Sequence, residues 1–119
     1  MKPNPIQQKT YKFALRIVNA YKFLIAARKE YVLSKQLLRS GTAIGAMVME
    51  AEHAQSKADF LNKMNIALKE ANETAYWQHL LKDSNYFDNN VFISIHKDCL
   101  EIIKLLSSIA KTTKASLNK

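Results

Sequence analysis

Glycine and proline are scarce in this chain. Its 119 residues hold two of each, and both prolines fall within the first five positions. Few tight turns can be built from so little, so a hairpin-rich sheet fold is excluded and an all-α fold is favoured. A single cysteine, Cys99, excludes an intrachain disulfide and suits a reducing compartment. No apolar run is long enough to cross a bilayer, which takes about 20 residues; the longest uncharged stretch, Ser40 to Met49, falls far short. The opening Met1-Lys2-Pro3-Asn4-Pro5 lacks the apolar core of a signal peptide. A cytoplasmic protein without a membrane partner is expected. Acidic residues are almost missing from the first third. Residues 1–39 carry nine Lys and Arg but only Glu30, whereas residues 40–119 carry nine charges of each sign. The formal net charge of +8 therefore sits in one third of the chain and points to an anionic partner.

What is present is helical periodicity. Asn4 can cap a helix with Pro5 at its first position, where the missing N–H costs nothing. Ala14, Ile17, Val18, Tyr21, Leu24 and Ile25 then recur on one face, predicting a helix over about 5–29. Ser34 is the expected cap of a second helix, 34–54, with Leu37, Ile44, Val48 and Ala51 as its apolar stripe. Ser56-Lys57-Ala58-Asp59 resembles a capping box and opens a third, 57–83, with Phe60, Met64, Ala67, Leu68, Ala71, Ala75 and Leu81 inward. Asp88 caps the fourth, 89–113, in which Phe92, Ile95, Cys99, Ile102, Leu106, Ile109 and Thr113 alternate steps of three and four. Residues beyond Thr113 are expected to fray. Helices of this length joined by short links make a single-domain, antiparallel up-down-up-down four-helix bundle spanning residues 1–119.

Both glycines, Gly41 and Gly45, lie inside the second helix on one face, although each costs about 1 kcal/mol relative to alanine there. Close approach of another helix is the expected reason. The turn near residue 55 brings Arg39 beside Glu70 and Glu73. If that network were buried, losing Arg39 would cost roughly 3–5 kcal/mol. Tyr76 and Trp77 are adjacent and cannot both face one core, so one of them is a candidate interface residue.

Two stretches carry a family resemblance. Tyr31 to Ala46 (Tyr-Val-Leu-Ser-Lys-Gln-Leu-Leu-Arg-Ser-Gly-Thr-Ala-Ile-Gly-Ala) resembles the second helix of the bacterial four-helix-bundle proteins encoded in 23S rRNA intervening sequences. Asp59-Phe60, Ile66 to Trp77 and Leu80-Leu81 are similar to that family's third helix. Gly41 departs from a more usual alanine, and Met47 begins a stretch that often opens with asparagine. The resemblance implies a four-helix protomer, often a five-fold ring, and kinship with accessory proteins of diversity-generating retroelements, which bind nucleic acid and a reverse transcriptase. It implies no enzymatic activity.

The residues themselves offer little chemistry. Glu50 and His53 have the Glu-x-x-His spacing of a di-iron helix, but no second copy of that motif exists, so no metal or other cofactor is expected. His96 and Cys99 share a face, yet two ligands do not close a zinc site. No catalytic residue is assigned. Lys9, Lys12 and Arg16, with Lys2, form one basic stripe on the first helix. Lys97, Lys104 and Lys111 form another on the fourth. The leading expectation is a homo-oligomeric, non-enzymatic accessory protein binding RNA or DNA through phosphate contacts; the alternative is a protein-interaction scaffold with no nucleic-acid role.

Overall fold

In the computed structural model, which describes residues 4–118, the chain forms four helices: α1 (Pro5–Ala27), α2 (Leu33–Glu52), α3 (Lys57–Asp83) and α4 (Asn89–Leu117). They pack in sequence order as an antiparallel bundle about 50 Å long. Three of the helix starts are set by local chemistry. Asn4, Ser56 and Asp88 each accept a hydrogen bond from a backbone N–H three residues on, at Gln7, Asp59 and Val91. With no glycine or proline to stop it, α4 continues past the expected end at Thr113 to Leu117, closing with a bond from Asn118 N to Lys114 O.

The start of α2 is set differently. The Ser34 side chain does not cap it; its hydroxyl donates back to the Glu30 carbonyl oxygen. Glu30 does the capping, its carboxylate accepting from the backbone N–H groups of Val32, Leu33 and Ser34 at 2.6–3.1 Å. Burial pushes the Glu30 carboxyl up, but the Leu33, Ser34 and Val32 amides and the Ser34 hydroxyl together hold it below its ordinary value. The Glu30 amide also bonds back to Leu24 O, which ends α1 at Ala27 rather than Lys29. Lys29 turns the chain with φ of 55°, a left-handed conformation unusual for a residue other than glycine. At the same end of the bundle, Arg28 donates to the Asn85 carbonyl in the α3–α4 turn and stands 5.9 Å from the Tyr86 ring centroid. Phe87 closes that turn as a buried plug.

The core of α4 follows the expected seam from Phe92 through Leu106. The core of α1 is rotated from the expected face. Ile6, Thr10, Phe13, Ile17 and Leu24 are buried, while Ala14, Val18, Tyr21 and Ile25 are only partly covered. In α3 the buried seam of Met64, Ala67, Ala71 and Leu81 runs through two polar residues, Thr74 and Gln78. Thr74 satisfies itself, donating to Glu70 O and lying 2.9 Å from Ser40 Oγ. Gln78 receives a bond from His96 Nδ1 at 2.8 Å, whereas its own Nε2 finds no partner among the described residues.

Both glycines face α1. An added Cβ at Gly41 would strike the fully buried Ile17, and one at Gly45 would lie 3.4 Å from the Thr10 carbonyl oxygen. The close packing of α1 on α2 therefore requires glycine at Gly41, whereas Gly45 leaves room for a methyl group.

Candidate nucleic-acid interface

On α1, Lys9, Lys12 and Arg16 follow the turns i, i+3 and i+7 and so share one side of the helix. That side faces α4. The Lys9 ammonium pairs with Glu101 at 2.8 Å, and Arg16 pairs with Asp98 at 2.6 Å while also donating to Ser94 Oγ. Two of the expected phosphate ligands are thus engaged by carboxylates. Lys12 has no carboxylate partner among the described residues. It lines a cavity of about 290 Å³ between α1 and α4, together with Lys9, Arg16 and Asp98 over a floor of Phe13. Lys2 lies outside the described residues.

Lys97, Lys104 and Lys111 recur every seven residues along the outer side of α4. All three are exposed, and none pairs with a carboxylate among the described residues. Glu101, the partner of Lys9, borders the same shallow hollow as Lys97 and Lys104. Glu101 thus links Lys97 and Lys104, on the outer side of α4, to the α1–α4 seam, while Lys111 lies farther along that outer side. Ile93 and Leu100, each at least half exposed, stand among these lysines and make the outer side of α4 partly apolar.

The remaining candidate residues serve the bundle. Arg39 donates to Glu70 at 3.3 Å and to Glu73, bridging α2 and α3. Its side chain is 49% exposed, so this is a surface network and not the buried one that a 3–5 kcal/mol penalty requires. Trp77 is partly buried and donates from Nε1 to Glu73 at 3.0 Å, while Tyr76 projects outward and meets the Trp77 ring edge-on. Glu50 reaches toward Lys63, and no three His, Cys, Asp or Glu side chains converge on a common point among the described residues. His96 is drawn toward α3 instead of toward a ligand. It stacks on Phe92 and meets His79 edge-on, and burial, with a smaller effect of His79, holds its pKa below the ordinary value. Cys99 is buried with its thiol 3.4 Å from Ala71 O; burial and then Asp98 push its pKa up to about 12, leaving it a poor nucleophile. No helix among the described residues is long and apolar enough to cross a membrane.

Sequence reasoning missed Asp98 and Glu101 as partners of the α1 cations. Helices α1 and α4 share no turn, so no count of residues across a loop sets their register. The only available signal was the heptad position of these acids beside the α4 seam.

A family model described as 23S rRNA-intervening sequence protein matches residues 2–108. The chain belongs to that family. This 23S rRNA-intervening sequence protein also resembles a solved structure from Bacteroides thetaiotaomicron, described as a protein with unknown function from the S23 ribosomal protein family. The two are 58% identical with a TM-score of 0.88, over 89% of this chain and 98% of the other. No match is found among curated proteins.

Proposed function

We propose that the protein is a non-enzymatic, homo-oligomeric accessory protein that binds nucleic acid along the α1–α4 side of the bundle. The observation that carries this reading is the set Lys12, Lys97, Lys104 and Lys111. Lys12 lines the α1–α4 cavity and the three lysines of α4 lie along its outer side; none has a carboxylate partner among the described residues, so they are available to phosphates. By contrast, Arg39 is matched by Glu70 and Glu73, and Lys63 by Glu50. Phosphate contacts of this kind give salt-sensitive binding with weak sequence preference. A ring of protomers, five-fold by family analogy, would repeat the seam and add avidity for a long strand.

Titration of labelled RNA and DNA oligonucleotides at two salt concentrations tests this. Binding is expected at low salt, with a steep loss at high salt and in a Lys97→Ala/Lys104→Ala/Lys111→Ala variant. No binding at low salt would overturn the reading and leave the scaffold alternative. That alternative draws on the exposed Ile93 and Leu100, which a protein partner would cover and a phosphate backbone would not.

A further inference from the structure

The geometry points to the cavity between α1 and α4 as the seat of one phosphodiester of the bound strand, held closed by Asp98 and Glu101 acting as internal competitors for its cations. This inference rests on the nucleic-acid reading above and specifies how that surface is regulated. The cavity holds about 290 Å³ beside three cationic side chains, Lys9, Lys12 and Arg16. Asp98 occupies Arg16 and Glu101 occupies Lys9, each through a carboxylate oxygen at charge-assisted hydrogen-bond distance. A phosphate oxygen offers the same acceptor chemistry, and guanidinium binds carboxylate and phosphate by the same fork.

The exchange is feasible because both ion pairs are roughly 40% exposed, so neither is locked in a dry interior. Lys12 has no carboxylate partner among the described residues and lines the cavity, which gives an incoming phosphate a first contact. Arg16 is steadied meanwhile by Ser94, whose hydroxyl and carbonyl oxygens both accept from the guanidinium. Displacing Asp98 and Glu101 would convert a seam between two helices into a cationic slot. Affinity is then set by competition between two tethered carboxylates and the strand.

The test compares the native protein, an Asp98→Asn/Glu101→Gln variant, and a control Glu70→Gln/Glu73→Gln variant that changes net charge equally on the α2–α3 side of the bundle. All three are titrated with labelled single strands over a salt series, and folding is checked by circular dichroism. The cavity variant is expected to bind roughly tenfold tighter, with a salt slope steeper by up to about two phosphate contacts. The control should gain much less, and adding Lys12→Ala should remove most of the cavity variant's gain. Equal gains in cavity and control variants, or no gain in either, would overturn the inference while leaving nucleic-acid binding intact. Failure of the native protein to bind at low salt would overturn both. A mononucleotide should bind at least a hundredfold more weakly than the strand; equal affinity would assign the seat to free nucleotides and overturn the assignment to a strand.

Discussion

A Cβ placed on Gly41 falls 2.7 Å from Cγ1 of Ile17 and 2.8 Å from its Cγ2. Ile17 is fully buried and β-branched, so it has little freedom to move aside. Overpacking of this kind costs about 1–3 kcal/mol, more than the ~1 kcal/mol that alanine gains over glycine in a helix. Gly41→Ala is therefore expected to lower the urea midpoint. Gly45→Ala meets only ordinary contact with Thr10 and is expected to raise it, through a stabilisation of up to about 1 kcal/mol. Equal effects of the two substitutions would contradict the different roles assigned to them.

Glu30 supplies a second prediction. Glu30→Ala leaves the first amides of α2 without their acceptor and should cost about 2 kcal/mol at neutral pH. The native carboxyl titrates below its ordinary value of 4.5, so its contribution is present above that value and lost as pH falls through the lower, folded one. Urea unfolding followed from pH 7 into the acid range should show a fall in the native protein that is shallower in Glu30→Gln. Parallel pH profiles would count against the cap.

The Arg39 network should be modest in strength. Because the guanidinium is half exposed, Arg39→Ala is expected to cost on the order of 1 kcal/mol, and added salt should narrow the difference. A double-mutant cycle between Arg39 and Glu73 measures the coupling directly. A loss of 3 kcal/mol or more would mean that the pair acts as a buried one.

Cys99 provides a probe of global opening. Its buried thiol, with a pKa pushed up to about 12, should resist alkylation in the folded protein and react readily in urea. Modification by iodoacetamide, followed by mass spectrometry, should track the unfolding transition. Rapid labelling under native conditions would show that the α3–α4 packing opens locally.

Much of the architecture was legible because the caps and the α4 seam are local signals. Asn4, Ser56 and Asp88 are residues that bond their own helix amides, and a three-four alternation needs no knowledge of neighbours. Where the reading slipped, a non-local partner decided the outcome. On α1, Val18, Tyr21 and Ile25 are as apolar as the residues that are buried, so hydrophobicity alone could not choose between adjoining stripes. Thr74 and Gln78 hold core positions that an apolar pattern passes over; Ser40 and His96, from other helices, make those positions tolerable. Glu30 is not a favoured cap type and works only because the Lys29 turn delivers its carboxylate to α2. In the candidate interface, the cations were visible in sequence and their acidic partners were not.

The uneven closure of the bundle has a mechanical consequence. Helices α2 and α3 share the most extensive contact of any helix pair and are tied by Arg39 and by the Ser40–Thr74 contact, whereas α1 and α4 touch least and leave cavities between them. Their pairing also spans the greatest chain separation, so its loop-closure entropy is met last during folding. The cationic seam is thus expected to be the final edge to zip and the first to breathe, and amide exchange should reveal it as the fastest-opening border of the molecule.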